Sequence, residues 1–177
     1  MIPFHSVLPE VAQREVRYVR LVAPAPDSAL SGLPADEYAY LEYYCEELNC
    51  DCRRVFLQVI AKDQPGKVFA SISYGWEKES FYRKKMPWNP DDAVGTVLGE
   101  LDPLNEQSEF AADFLELFRR VVLDEPYRLR LRRHYLMFKE ELARRGASGK
   151  SGGDGGPQAT ATWIAGIRRW KMGFKGP

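Results

Sequence analysis

The stretch Arg53-Arg54-Val55-Phe56-Leu57-Gln58-Val59-Ile60-Ala61-Lys62-Asp63-Gln64-Pro65-Gly66-Lys67-Val68-Phe69-Ala70-Ser71-Ile72-Ser73-Tyr74 decides the fold class. Val55, Leu57 and Val59 alternate with Phe56 and Ile60, so Arg53 to Ala61 reads as a strand with apolar side chains on both faces. Lys62 to Lys67 carries Asp, Pro and Gly in the order of a tight reversal, and Val68 to Tyr74 returns as a second strand. The two make an antiparallel hairpin.

Working outward, Glu37 to Tyr44 is rich in aromatic residues and reads as a strand leading into Cys45. Val16, Tyr18, Val19, Arg20 and Val22 give Arg14 to Ala23 the alternation of another, separated by a loop of Pro24, Pro26, Asp27, Ser31, Gly32 and Pro34. On the other side, Trp76 to Gly99 reads as irregular, with Pro87, Pro90 and Gly95. Asp102-Pro103 has the form of a helix start, followed by Phe110, Phe114, Leu117, Phe118 and Val121 at helical spacing. Asp124-Glu125-Pro126 opens a second helix to Arg145, with the apolar stripe Tyr127, Leu131, Tyr135, Phe138 and Leu142 and with Gly146 as its stop. The expectation is an α+β domain over 1–145: an antiparallel sheet of about four strands with two C-terminal helices packed on one face. Residues 146–160, rich in Gly, Ser and Lys, read as a flexible linker, and 161–177 as an aromatic, basic tail.

The chain has 177 residues, 25 basic and 25 acidic, so no net field recruits nucleic acid. The charge is uneven. Arg168, Arg169, Lys171 and Lys175 stand after Thr160 without an acidic residue, leaving 21 basic against 25 acidic side chains, a formal −4, in 1–159. Met1 to Ser6 lacks the basic-then-apolar pattern of a signal peptide, and no run approaches the roughly 20 apolar residues of a membrane span. With its few thiols clustered rather than spaced to staple distant segments, the chain is expected in a reducing cytoplasm.

All three cysteines lie within eight residues: Cys45, Cys50 and Cys52 in Tyr44-Cys45-Glu46-Glu47-Leu48-Asn49-Cys50-Asp51-Cys52-Arg53-Arg54. The spacing is C-x4-C-x-C, without the C-x2-C knuckle of common zinc fingers. If Cys50 and Cys52 lead into the strand after them, residues two apart project to one face and offer two thiolates to one ion, with the four-residue loop returning Cys45 as a third. A structural zinc is the expected occupant, since three thiolates leave the ion a weak Lewis acid. Buried thiols acting as small hydrophobes, or a redox pair, are the competing readings. For the fourth ligand there are two histidines. His134 falls on the apolar stripe of the last helix and is the expected ligand; His5, Asp51, Glu46 or a water are the alternatives.

Two other features bear on partners. Trp76 to Trp88 interleaves aromatics with Arg83, Lys84 and Lys85, a pattern able to stack bases and hold phosphates, although a cap of aromatics with solvated charges is the plainer reading. In the tail, Trp163, Ile167, Trp170 and Phe174 share one stripe if helical, the pattern of a segment that docks in a partner's groove or on a membrane surface, or packs on its own or a neighbouring subunit. No phosphate-binding glycine loop and no Ser/His/Asp set is found. The function expected is that of a zinc-stabilised interaction module; a nucleic-acid binder using 76–88 and the basic tail, or a metal- or thiol-dependent enzyme, are the alternatives.

The run Tyr44 to Val55, followed by Ile72-Ser73-Tyr74-Gly75-Trp76, resembles a prokaryotic family of uncharacterised small proteins with a Cys-Asp-Cys-Arg-Arg core, some associated with cysteine-rich SEC-C metal-binding tails. The resemblance spans roughly residues 4–140. It implies metal binding at Cys45, Cys50 and Cys52 and no particular activity. This chain departs from the pattern in its tail, which has no cysteine, so no SEC-C role is implied there.

Overall fold

The computed structural model describes residues 1–22, 32–87, 89 and 91–147. The chain is α+β. Strands β1 (Ile2–Pro3), β2 (Arg17–Leu21), β3 (Asp36–Tyr44), β4 (Arg54–Ala61), β5 (Val68–Gly75) and β6 (Glu100–Leu101) form one antiparallel sheet. Its path is β1-β3-β4-β5-β6, with β2 also paired to β3. The sheet therefore has six strands where about four are expected, because the two-residue strands β1 and β6 are too short to leave an alternation in the sequence. Helices α1 (Phe4–Val7) and α2 (Pro9–Glu15) precede β2; α3 (Glu79–Lys85) and α4 (Asp92–Leu98) precede β6; α5 (Ala111–Leu117) and α6 (Glu125–Ala147) follow it.

Pairing fixes the two faces. Tyr38, Tyr40 and Tyr44 of β3 share a face with Val55, Leu57 and Val59 of β4 and with Ile72 and Tyr74 of β5. Phe114 and Leu117 of α5 and Tyr127, Leu131, Tyr135 and Phe138 of α6 join them in one buried core, so the two C-terminal helices do cover one face. On the opposite face Val16, Ala39, Leu41 and Ile60 form a second, smaller buried cluster flanked by Tyr18 and Tyr43. Both faces of β3 are thus apolar.

Several boundaries differ from the expected ones for local reasons. Residues 9–15 are helical, with Pro9 in the first turn where its missing N–H costs nothing, and the strand begins only at Arg17. Asp102 does not start a helix. Its carboxylate accepts from the Leu104 N–H at 3.0 Å and from Asn105 Nδ2 at 2.8 Å. Gln107 then pairs with both backbone groups of Ser71, at 2.9 Å each, and extends the sheet edge with a side chain. Helix α5 waits until Ala111 and continues into a π-helical turn over Phe118–Val122. The start of α6 is as expected: Asp124 Oδ1 accepts the Tyr127 N–H at 2.8 Å in the manner of an N-cap. Trp76 to Gly99, expected to be irregular, holds α3 and α4. Gly75 lets this region close on the sheet, since a Cβ there would stand 2.4 Å from the Tyr82 ring. Apart from Gly146 and Ala147, the expected linker and tail lie outside the described residues.

Candidate metal centre

The cysteines occupy the connection from β3 to β4. Cys45 follows β3 directly, and a turn closed by the Cys50 N–H donating to the Glu47 carbonyl at 3.0 Å brings the chain back. Cys50 and Cys52 are not on a strand, as β4 starts at Arg54. What aims them is Arg53, whose φ of 48° is left-handed. For a residue with a Cβ that conformation costs about 1 kcal/mol and needs support from its surroundings. The support is visible. Arg53 donates to Asp51 at 2.7 Å and to Glu77 at 3.2 Å, lies 4.9 Å from the centre of the Phe81 ring, and its carbonyl accepts the Tyr82 hydroxyl at 2.7 Å.

Helix α6 holds the rest of the loop. The Tyr135 hydroxyl donates to the Cys50 carbonyl at 3.2 Å, and the Lys139 ammonium, one turn on along the same face, donates to the Glu47 carbonyl. The N-terminal ammonium of Met1 pairs with Glu46 at 3.0 Å. These anchors involve backbone and charged groups, never the thiols.

The outcome is three free, half-buried cysteines whose sulfurs all lie within 4.8 Å of one another. Bonds of ~2.3 Å at tetrahedral angles put thiolate sulfurs ~3.8 Å apart, so the three need close by no more than about 1 Å around an ion. Burial first, then the Cys50 sulfur beside it, push the Cys45 thiol upward, against the pull of the Glu47 backbone and of Lys139. Without an ion this group holds its proton at neutral pH, and an ion displaces it.

Neither histidine joins them. His134 is buried as expected, but its Nδ1 faces Glu42 Oε2 at 2.7 Å and its Nε2 faces Glu15 Oε2 at 3.2 Å, while Phe4 stacks on the ring at 4.5 Å. Glu42 points from β3 into the same core and also accepts the Tyr44 hydroxyl at 2.8 Å. The expected Cys45/Cys50/Cys52/His134 set is therefore not assembled: both ring nitrogens are engaged by carboxylates. His5 lines a cavity of about 10 Å³ with Phe4, Glu42 and His134, on the same side as that network. Among the described residues no fourth His, Cys, Asp or Glu donor stands with the three sulfurs.

No family model, curated protein or solved structure matches this chain. The site stands on its own geometry. Beside it lies a cleft of about 240 Å³ lined by Cys50, Asp51, Cys52, Arg54, Tyr82, Lys85 and Met86, which the sequence did not disclose because α3 reads there as a solvated basic run. The same helix weakens the nucleic-acid reading. Tyr82 is buried, Trp76 packs on Tyr135 at 5.3 Å, and Phe81 is covered by Arg53 and Lys85, so these three rings are not a stacking platform. Trp88 and the tail residues Trp163, Ile167, Trp170 and Phe174 lie outside the described residues. No helix among the described residues is long and apolar enough to cross a membrane.

Proposed function

We propose that this chain binds one thiophilic ion, zinc, through Cys45, Cys50 and Cys52, and acts in a reducing cytoplasm as a non-catalytic interaction module. The observation that carries the reading is the convergence of three sulfurs within 4.8 Å in a loop whose backbone is fixed by other groups. Three thiols brought that close without an ion repel once ionised, and a divalent cation removes that penalty. A protein partner would meet the tail at Trp163, Ile167, Trp170 and Phe174, a part of the reading that rests on their spacing alone.

Elemental analysis of untagged protein never exposed to chelator, paired with a thiol count by a chromogenic disulfide reagent, tests the metal. One zinc per chain with the thiols masked until a chelator is added is the expected result. Metal-free protein with three reactive thiols, and no uptake on adding zinc, would overturn it.

A further inference from the structure

Resting on that reading, we infer that the fourth coordination position of the ion opens into the cleft beside it and takes a small anionic thiol, such as a mercaptocarboxylate. Two of the three sulfur-bearing residues, Cys50 and Cys52, line the cleft, and Cys45 does not. An ion shared by the three sulfurs therefore borders the cleft on one side. The protein supplies no histidine, and a soft three-sulfur ion favours a fourth sulfur over water.

The rest of the lining determines what that sulfur is attached to. Arg53 and Arg54 are sequence neighbours with contrasting surroundings. Arg53 is held by two carboxylates, Asp51 and Glu77. Arg54 is half-buried and lines the cleft; among the described residues no carboxylate stands within ion-pair distance of it, Glu100 feeling its charge only from beyond that range, and its Nη1 faces the Met86 sulfur at 3.9 Å. Lys85, also in the lining, touches Asp51 only at 3.7 Å. A guanidinium with no close ion pair beside a ligand-sized space is a receptor for a carboxylate, which its planar fork grips with two parallel bonds. The carbon part of the ligand lies against Tyr82 and Met86. On binding, the ligand's thiol loses its proton to solvent as its sulfur coordinates, and no electron moves.

The test uses full-length protein loaded with cobalt(II), whose sulfur charge-transfer absorption reports the number of thiolate donors. The metal stoichiometry is measured first, so that failure of the three-cysteine site is seen separately and takes this inference with it. Mercaptoacetate is expected to raise the absorption from three to four sulfur donors, and to bind at least about tenfold more tightly than the neutral mercaptoethanol, the factor expected of one charge-assisted contact. Arg54→Ala should bring the two affinities together while leaving the cobalt affinity unchanged. Three results would overturn the inference: cobalt bound with a spectrum that no thiol changes, equal affinities for the two thiols in the unmodified protein, or loss of a fourth sulfur donor in Met86→Leu before any thiol is added. The last would make the thioether of Met86 the fourth ligand.

Discussion

Two consecutive residues of α6 serve two polar clusters of opposite character. His134 turns into the core and meets Glu42 and Glu15, with Tyr44 completing the set. Tyr135 turns to the cysteine loop and holds its backbone at Cys50. In the first cluster the side chains satisfy one another, and Arg130 and Arg133 neutralise Glu15 at the rim. In the second, the backbone and the charged residues are tied down, while the thiols meet one another and, at Cys45, the Glu47 backbone. Buried polar groups are usually paired, because leaving them unpaired is expensive. A closed network of carboxylates and imidazole is thus part of the fold, whereas an ordered loop that gathers three thiols against one another is organised for something added from outside.

The contrast is broken most directly by removing one member of each cluster. Glu42→Ala leaves His134 without its shorter partner in a buried site and should cost about 3–5 kcal/mol in urea unfolding, the range for truncating one side of a buried polar pair. Cys50→Ser, made in metal-free protein, should change stability by no more than about 0.5 kcal/mol, since Cys50 is half-buried and its side-chain hydrogen bond with Cys45 is one a hydroxyl can keep. Comparable losses for the two substitutions would show that the cysteines are core residues and not ligands. Adding zinc sharpens the distinction. At free zinc a thousandfold above its Kd, folded protein gains about 4 kcal/mol by mass action. Cys50→Ser should erase that gain and Glu42→Ala should retain it, as read by the zinc-dependent rise in Tm.

Much of this arrangement was legible in the chain, and the failures have physical causes. The hairpin of β4 and β5 and the aromatic strand β3 were visible because alternation with a period of two survives in any strand buried on at least one side. The apolar stripe of α6 was visible too, and it placed His134 in the core. It could not say which polar group would meet the ring there. Glu42 sits in β3 among tyrosines, 92 residues away, and nothing in its neighbourhood distinguishes it from an exposed strand glutamate. The three cysteines were evident from their clustering, but their convergence depends on a left-handed Arg53 held by Glu77, Phe81 and Tyr82 across the chain, which no local propensity encodes. Helix α2 did leave a signal, Pro9 followed by Glu10, that points to a helix start.

Acid offers a different cut between the clusters. Burial pulls His5 down from 6.5 to about 4, so the folded state holds it neutral. Above pH 6.5 neither the folded nor the unfolded chain protonates it, and its burial carries no proton penalty. As the pH falls from about 6.5 toward 4 the unfolded chain takes up the proton first, and stability drops by about 3 kcal/mol over that window. His5→Phe should flatten that part of the stability profile relative to the unmodified protein, whatever its effect on the level at pH 7. Equal slopes from pH 6.5 to 4 would show that His5 titrates alike in both states.

A smaller effect joins the two clusters. Tyr135→Phe keeps the ring against Tyr44 and Trp76 and removes only the hydroxyl that donates to the Cys50 carbonyl at 3.2 Å. Unfolding of the metal-free protein should lose about 1 kcal/mol, the net worth of one such bond. If α6 also pre-orders the cysteine loop, the freed loop must be ordered by the ion itself. Zinc affinity should then fall as well, by a few-fold to about tenfold for a comparable free energy. A stability loss with unchanged zinc affinity, measured by competition with a chromogenic chelator, would mean that Arg53 and its partners alone set the loop. The converse, weaker zinc binding with unchanged global stability, would place the whole effect of the hydroxyl in local order around residues 45–52.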